Sequence, residues 1–190
     1  MTDYADTALV VLAAGQGMRF GSDKLMADID GTPMGLHITR TLAPMAFGRR
    51  IAVAGKGSAL VQHFSAAGFD VIANESPEKG QAHSLHLAVG AATATDAKAL
   101  LVVLADMPFV SADHIAALVA GCHDDIVASS DGIARMPPVI FPREVWPELL
   151  ATSGDFGARD LLHDAKLVTA PLTELRDIDV PADLRETHRQ

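Results

Sequence analysis

Short apolar runs alternate with segments of helical period along the whole chain. Five of these runs are rich in aliphatic and β-branched residues, which predicts buried strands. They comprise residues 8–13, 51–54, 70–73, 99–104 and 125–129. The first run, ALVVLA, enters a glycine-rich segment at once, and this favours a strand that ends in a loop.

Between the apolar runs lie segments whose hydrophobic residues recur at helical spacing. In residues 81–92 one apolar face consists of Leu85, Ala88, Val89 and Ala92. Ser111 suits the N-cap of a helix over residues 112–120, because its hydroxyl can accept a hydrogen bond from an amide of the first turn. Further helices are predicted over residues 142–150, 156–163 and 181–188.

The alternation of strands and helices is typical of the α/β class. We therefore expect a three-layer α/β/α sandwich built on a mostly parallel sheet, formed by a single domain over residues 1–190. In such sheets, ligands bind beyond the carboxyl ends of the strands. This rule directs attention to the segments that follow residues 13 and 104.

Composition and charge exclude several classes of partner. The net charge is -9 and the pI about 5.2, and no run of lysine or arginine exceeds two residues. Nucleic acid and membrane are not expected as partners, because anionic surfaces select basic proteins. No apolar run approaches the roughly 20 residues that span a bilayer. With Cys122 as the single cysteine and no basic residue in residues 1–6, we expect a cytoplasmic protein without an internal disulfide.

The segment after residue 13 combines glycines with two cations. Gly15, Gly17 and Gly21 let the backbone turn its amides toward an anion, and Arg19 and Lys24 add charge suited to phosphate oxygens. The spacing GxGxxxG is one residue longer than the dinucleotide-binding fingerprint, and the glycine–lysine pair of a Walker loop is missing. On spacing alone, a phosphate-binding loop and an ordinary glycine-rich turn with solvated charges both stay open.

An aspartate follows the fourth apolar run. Asp106 comes directly after LLVVLA and before Met107 and Pro108, at the predicted ligand edge of the sheet. A carboxylate there is a suitable oxygen ligand for Mg²⁺, which binds substrate phosphates while it keeps several waters. The alternative is a turn or helix-capping aspartate.

The two segments together resemble a known family. LAAGQGMRFGSDK and LADMP are similar to the signature motifs of the nucleoside-triphosphate transferases typified by the molybdenum cofactor guanylyl- and cytidylyltransferases. The resemblance implies a Rossmann-like nucleotidyltransferase fold in which the glycine loop wraps the triphosphate. It implies catalytic roles for Arg19 on the triphosphate, for Lys24 near the reacting phosphate, and for Asp106 as a Mg²⁺ ligand. The nucleotide-binding residues that it implies are Leu12, Ala13, Ala14, Gly15, Gly17, Arg19, Lys24, Gly80, Ser84 and Asp106.

Three later segments extend the resemblance. GQAHSL is similar to the family segment near the base and ribose, which implicates Gly80 and Ser84; an ordinary helix start is the alternative. GDFGAR is similar to a segment on the pterin side of the cleft, with a loop and an N-cap at Asp155 as the alternative. The acceptor-binding residues so implied are Gly154, Asp155 and Arg159. DIDVPADL implies Asp179 as a second metal ligand, or as the cap of the last helix.

The implied reaction transfers CMP from CTP to the phosphate of molybdenum cofactor, with Mg²⁺ and with a molybdenum hydroxylase as a recipient of the product. Ala14 stands where the guanylyl branch has a second glycine, which indicates the cytidylyl branch. Met136 and Pro137 depart from the family's Gly-His-Pro or Gly-Asn-Pro step, which leaves the acceptor open. The alternatives are GTP or a sugar or polyol phosphate as substrate, an NAD(P)H-dependent oxidoreductase, and a non-catalytic cofactor carrier.

Overall fold

In the computed structural model, which describes residues 2–15, 24–154, 158–179 and 183, a seven-stranded sheet forms the centre. The strands of this sheet are β1 (Thr7–Ala13), β4 (Arg49–Gly55), β5 (Asp70–Asn74), β6 (Ala99–Leu104), β7 (Val127–Ser130), β8 (Arg135–Pro142) and β9 (Lys166–Thr169). Two further short strands, β2 (Asp28–Ile29) and β3 (Thr32–Pro33), lie outside it. The helices are α1 (His37–Leu42), α2 (Leu60–Ala66), α3 (Gln81–Thr93), α4 (Ala112–Gly121), α5 (Trp146–Ala151) and α6 (Leu172–Leu175). None of the helices in these described ranges has the length and apolar character needed to cross a membrane.

The sheet is mostly parallel. Its strand order is β5-β4-β1-β6-β8-β7-β9, while β2 and β3 pair as a separate short hairpin. β1 runs parallel to β4 and β6, β4 runs parallel to β5, and β7 runs parallel to β9. β8 is antiparallel to both of its neighbours, β6 and β7. This arrangement, with helices on both faces, confirms the expected α/β sandwich.

β1 lies inside the sheet because both of its faces are apolar. Leu9 and Val11 belong to the buried cluster on one face, and Val10 and Leu12 to the cluster on the other. The first cluster includes side chains of α1, α2 and α4, and the second includes side chains of α3 and α5. Each fully buried aliphatic side chain contributes about 1.5–3 kcal/mol, which explains why this strand is continuously apolar rather than alternating.

All five predicted strands are present, with bounds that agree to within two residues. The predicted helices over residues 81–92 and 112–120 correspond to α3 and α4. Ser111 is the N-cap of α4, and its Oγ accepts a hydrogen bond from the His114 amide at 3.1 Å. The hairpin β2–β3, the strands β8 and β9, and the helices α1, α2 and α6 have no counterpart among the predicted elements.

Two of the late helices differ from prediction. The predicted helix over residues 142–150 is present but not uniform: a 3₁₀ turn, Arg143–Val145, leads directly into the short α5, which has Pro147 in its first turn. Proline lacks the amide that a helix interior requires, so α5 starts beside it rather than running through it. Residues 159–162 form a 3₁₀ turn because the chain enters β9 four residues later. Residues 156–157, and all of the predicted helix 181–188 except residue 183, lie outside the described residues.

Candidate active site

The carboxyl ends of β1 and β6 meet at one edge of the sheet. Leu12 pairs with Leu104 in the parallel register, and the amide of Ala105 donates a hydrogen bond to the Leu12 carbonyl at 3.0 Å. The segment that begins with Ala14 and the segment that carries Asp106 therefore leave the sheet side by side. This is the position at which α/β sheets bind their ligands.

Lys24 is held between two carboxylates at this edge. Its Nζ donates to Asp106 Oδ2 at 3.0 Å and to Asp179 Oδ1 at 2.6 Å. Only 11% of the Lys24 side chain is exposed, against 26% for Asp106 and 54% for Asp179. The structure thus brings together three predicted site residues that are distant in sequence: Asp106 lies 82 positions after Lys24, and Asp179 lies 155 positions after it.

Close packing behind Lys24 positions its backbone. Lys24 opens the 3₁₀ turn Lys24–Met26, and the buried Leu25 of this turn lies against Gly35. A Cβ at Gly35 would stand 2.7 Å from Leu60 Cδ1 and 3.2 Å from Leu25 Cβ. A larger residue at this position would therefore push the turn away from α2 and move Lys24 with it.

The segment that carries Asp179 is tied to the end of β6 through the main chain. The amide of Ile178 donates a hydrogen bond to the Asp106 carbonyl at 2.9 Å, and the Ile178 side chain is fully buried. The amide of Asp179 donates to Asp183 Oδ2 at 2.9 Å, while its own carboxylate bonds to Lys24.

A third carboxylate, that of Asp177, joins the cluster. Single oxygens of Asp106, Asp177 and Asp179 all lie within 4.8 Å of one another. Oxygen ligands about 2.1 Å from Mg²⁺ stand at most about 4.2 Å apart, so a small contraction would let these carboxylates hold a divalent cation. Sequence reasoning gave Asp177 no role, although its place two residues before Asp179 in DIDVPADL was the available signal.

The charges of the cluster shift one another's protonation. Burial alone lowers the pKa of Lys24, but the charge of Asp106 and hydrogen bonds to Asp179 and Asp106 outweigh it, so the pKa is raised. Loss of solvent around its carboxyl raises the pKa of Asp177, and the charges of Asp179 and Asp106 raise it further. The three carboxylates outnumber the Lys24 ammonium, and such a cluster attracts a cation.

Gly80 and Ser84 lie at the start of α3, as predicted. Gly80 is the N-cap of α3 with a φ of 82°, in the left-handed region that favours glycine. The buried Ser84 Oγ accepts a hydrogen bond from Asn74 Nδ2 at 2.9 Å, and Asn74 Oδ1 accepts one from the Ser76 amide at 2.8 Å. Asn74 therefore ties the segment before α3 to the helix itself. Sequence reasoning missed it, because a single asparagine at a strand end is an ordinary turn residue.

Gly154 is brought to the same helix start. Its carbonyl accepts a hydrogen bond from the Ala82 amide at 3.1 Å, and its φ is 75°. The first amides of a helix have no partner within the helix, so this contact joins the predicted acceptor segment to the predicted base segment. The predicted site residues Gly17, Arg19 and Asp155 lie outside the described residues.

A pocket of about 110 Å³ opens on the α3 face of the sheet. Its walls are mainly apolar, and none of the described residues that line it is acidic. The lining residues that bear on function are Leu12, Leu104, Arg135, Met136, Pro137 and Arg159. Leu12 and Leu104 end β1 and β6, so the pocket borders the edge that carries Asp106. The two residues that depart from the family pattern, Met136 and Pro137, form part of its wall.

Comparisons with known proteins agree with this arrangement. The sequence pattern of the MobA-like NTP transferase domain matches residues 9–170. The purine catabolism protein PucB of Bacillus subtilis (strain 168) is 30% identical over 188 residues, which cover 92% of this chain and 92% of PucB.

Solved structures share the fold. Rv0371c from Mycobacterium tuberculosis H37Rv has a TM-score of 0.82 at 24% identity, over 97% of this chain and 98% of that one. Its complex with manganese has a TM-score of 0.77 at 23% identity, over 95% and 96%. The inositol-1-phosphate CTP transferase from T. maritima has a TM-score of 0.75 at 16% identity, over 96% and 93%. Because the domain match runs from within β1 to just past β9, the chain belongs to the MobA-like NTP transferase family and is a nucleotidyltransferase.

Proposed function

We propose that this nucleotidyltransferase transfers CMP from CTP to the phosphate group of molybdopterin and releases pyrophosphate. The observation that carries the proposal is the adjacency of two features at the ends of β1 and β6. One is the cluster of Lys24, Asp106 and Asp179, which suits a metal-bound triphosphate. The other is the apolar pocket with Arg135 and Arg159, which suits an anion with a flat apolar body.

The nucleotide side of the proposed site runs from the end of β1 to the start of α3. The residues proposed to line the nucleotide are Leu12, Ala13, Ala14, Gly15, Gly17, Arg19, Lys24, Gly80, Ser84 and Asp106. Gly80 and Ser84 would approach the base and ribose, with Asn74 holding Ser84 in place. Ala14, in the position where the guanylyl branch carries glycine, supports CTP over GTP.

The acceptor side of the proposed site is the pocket between α3 and β8. Gly154, Asp155 and Arg159 are the residues proposed to bind the acceptor, and Gly154 is fixed to the start of α3 through Ala82. A guanidinium offers several donors in one plane, which matches the oxygens of a phosphate monoester. The apolar wall that Met136 and Pro137 help to form favours a ring system over a polyhydroxylated acceptor.

The carboxylates at the end of β6 fit a divalent cation. Asp106 and Asp179 are proposed to hold Mg²⁺, and Asp177 lies within reach of the same position. A bound Mg²⁺ supplies charge neutralisation on the triphosphate oxygens. The manganese complex of the structurally similar Rv0371c supports a divalent cation in this fold.

In the proposed reaction, a phosphate oxygen of the acceptor attacks the α-phosphorus of CTP in line. The new P–O bond forms as the bond from the α-phosphorus to the bridging oxygen breaks, and pyrophosphate leaves with the electron pair. The side chains bind and orient the two substrates, while Arg19 and Lys24 offset the developing negative charge. Positioning and charge neutralisation of this kind carry most phosphoryl-group chemistry.

No protein nucleophile is needed for this transfer. Cys122 is fully buried, and burial raises the pKa of its thiol to about 11, so it stays protonated at neutral pH. It also sits at the end of α4, in the core cluster on the opposite face of the sheet from the pocket. The acceptor phosphate is therefore the attacking group in the proposal.

Pyrophosphate release by the purified protein tests the proposal. The assay contains Mg²⁺ with either CTP or GTP, each with and without molybdopterin. We expect release only with CTP and molybdopterin together, accompanied by a cytidine dinucleotide product. Release with GTP instead, or tight molybdopterin binding without release for any nucleotide, would contradict it and favour the guanylyl or the carrier alternative.

The polyol-phosphate alternative is tested in the same assay. The inositol-1-phosphate CTP transferase from T. maritima shares the fold, which is why inositol 1-phosphate is the chosen comparator. We expect no release with it, because the apolar pocket wall offers few partners for its hydroxyl groups. If the cytidylyl product forms, a molybdenum hydroxylase is the proposed recipient, and activation of such an apoenzyme by the product is the matching test.

A further inference from the structure

We infer that Lys24 is the resident counter-ion of the carboxylate cluster, and that it must leave Asp106 and Asp179 before those carboxylates can hold a divalent cation. The inference deepens the proposed function, because it rests on Asp106 and Asp179 as the metal ligands of that reaction. The inference adds a coupling between the binding of the triphosphate and the binding of the cation. When Lys24 moves to the triphosphate oxygens, Asp106 and Asp179 become free to bind the cation.

The hydrogen bonds of Lys24 place its ammonium between the two carboxylates. Nζ stands 3.0 Å from Asp106 Oδ2 and 2.6 Å from Asp179 Oδ1, with most of the side chain enclosed. A divalent cation bound by those two oxygens would lie about 2.1 Å from each, in the space that the ammonium fills. The two positive charges would also repel each other strongly at such a short separation. Occupancy by Lys24 and occupancy by the cation are therefore mutually exclusive.

The position of Lys24 in the chain allows it to move between two partners. Its backbone is fixed by the turn Lys24–Met26, with Leu25 buried behind it. Its side chain is a flexible four-carbon stem that carries a point charge, so the ammonium can swing while the backbone stays in place. Lys24 also directly follows in sequence the glycine segment that is proposed to wrap the triphosphate, so the proposed function expects phosphate oxygens near it.

The charge balance of the cluster couples the position of Lys24 to the affinity of the carboxylates for a cation. While Lys24 is in place, it offsets part of the repulsion among Asp106, Asp177 and Asp179. When it moves to the triphosphate, the three carboxylates are left without that offset and attract a divalent cation more strongly. Binding of the triphosphate and binding of the cation then assist each other, as linkage requires of coupled sites.

Manganese binding without nucleotide tests the inference independently of turnover. Mn²⁺ affinity is measured by electron paramagnetic resonance of the free ion, for the full chain and for Lys24→Met. We expect Lys24→Met to bind Mn²⁺ at least about tenfold more tightly, because a competing unit charge at contact distance is gone. Lys98→Met is the matched control, since Lys98 pairs with Asp6 at 2.9 Å outside the cluster, and it should bind as the unaltered chain does.

A third variant separates failure of this inference from failure of the proposed function. Asp106→Asn should weaken Mn²⁺ binding both on its own and when it is combined with Lys24→Met. If Asp106→Asn weakens Mn²⁺ binding while Lys24→Met binds Mn²⁺ no more tightly than the unaltered chain, the counter-ion role of Lys24 is overturned. The proposed role of Asp106 as a metal ligand is then still supported. If Asp106→Asn leaves Mn²⁺ binding unchanged, the metal ligands of the proposed function are overturned too. Should Lys24→Met fail to fold, Lys24→Gln takes its place with the same expected result.

Discussion

The amide of Ile178 donates a hydrogen bond to the carbonyl oxygen of Asp106 at 2.9 Å. Because Ile178 is fully buried and Asp106 follows β6 closely, this bond anchors a distant segment of the chain at the ligand edge of the sheet. Asp177 and Asp179 flank Ile178 in the chain, and both are exposed while Ile178 is buried. Their carboxylates join that of Asp106 as a result.

Asp106→Asn should lower kcat by about 10²–10³-fold, in the range seen when one charge-stabilising group is removed from an active site. The fold should persist, because the Asp106 side chain is partly exposed and an amide oxygen can still accept from Lys24. We expect Tm to change by less than about 3 °C, equivalent to about 1 kcal/mol for a chain of this size.

The matched control for Asp106 is Asp70→Asn. Asp70 also forms an ion pair, with Arg49 at 2.8 Å, but at the starts of β5 and β4, the opposite edge of the sheet. Steady-state kinetics and thermal unfolding of both variants make the comparison. A kcat close to that of the unaltered chain in Asp106→Asn would remove Asp106 from the proposed site.

Asn74→Ala should weaken both stability and nucleotide binding. Asn74 is fully buried. Its side-chain Nδ2 donates a hydrogen bond to Ser84 Oγ, and its Oδ1 accepts one from the Ser76 backbone amide. Loss of both bonds should cost about 1–3 kcal/mol of unfolding free energy. Because Ser84 is proposed to approach the nucleotide, the KM for CTP should rise more than the KM for the acceptor.

Ser76→Ala serves as the control for Asn74, because it keeps the Ser76 amide that Asn74 accepts from. Urea unfolding and initial rates at varied CTP give the two readouts. Equal rises in both KM values for Asn74→Ala would indicate general loosening rather than a disturbed nucleotide segment.

Much of the sheet was predictable because its strands are buried on both faces. A continuous apolar run such as ALVVLA, followed directly by glycines, marks both a central strand and its ligand end. Lys24 and Asp106 were singled out as candidates on other grounds, because Lys24 follows the glycine-rich segment and Asp106 directly follows the apolar run LLVVLA. β2 and β3 were not predictable, because two-residue strands leave no periodicity to detect.

The contacts that join distant segments were not predictable from local pattern. Asp177 and Asp179 belong to one motif, and only the burial of Ile178 shows that both flanking carboxylates face the cluster. The contact of Gly154 with Ala82 depends on how two loops pack together, and neither residue type signals it. The predicted helix over residues 156–163 is only a 3₁₀ turn in its described part, because the chain must enter the nearby strand β9.

Arg159→Gln should raise the KM for the acceptor and leave the KM for CTP unchanged. Arg159 lines the apolar pocket on the proposed acceptor side, where its charge would pair with the acceptor phosphate. Loss of one charge-assisted hydrogen bond corresponds to a rise of about tenfold. Arg49→Gln, at the opposite edge of the sheet, is the matched control. A rise in the KM for CTP instead would assign Arg159 to the nucleotide.

A chain of buried hydrogen bonds links α4 to β7 and β8. The Ser129 hydroxyl donates to the Pro138 carbonyl at 2.7 Å, so its oxygen accepts from His114 Nε2, also at 2.7 Å. Burial lowers the pKa of His114, and the nearby charge of Glu174 only partly opposes this. The amide end of α4, where His114 lies in the first turn, also disfavours a positive charge. His114 is therefore neutral in the folded protein at neutral pH.

His114 should make stability depend on pH in the mildly acidic range. Its folded pKa lies below the ordinary value of about 6.5, so the unfolded chain binds more protons between the two values. The contribution of His114 to the free energy of unfolding is fully present above about pH 6.5. It declines as the pH falls below that value, by up to about 1.4 kcal/mol per pH unit. His114→Gln should flatten this dependence in urea unfolding, whereas His163→Gln, an exposed control, should keep it. Equal slopes for His114→Gln and the unaltered chain would show that protonation of His114 is not the source of the acid sensitivity.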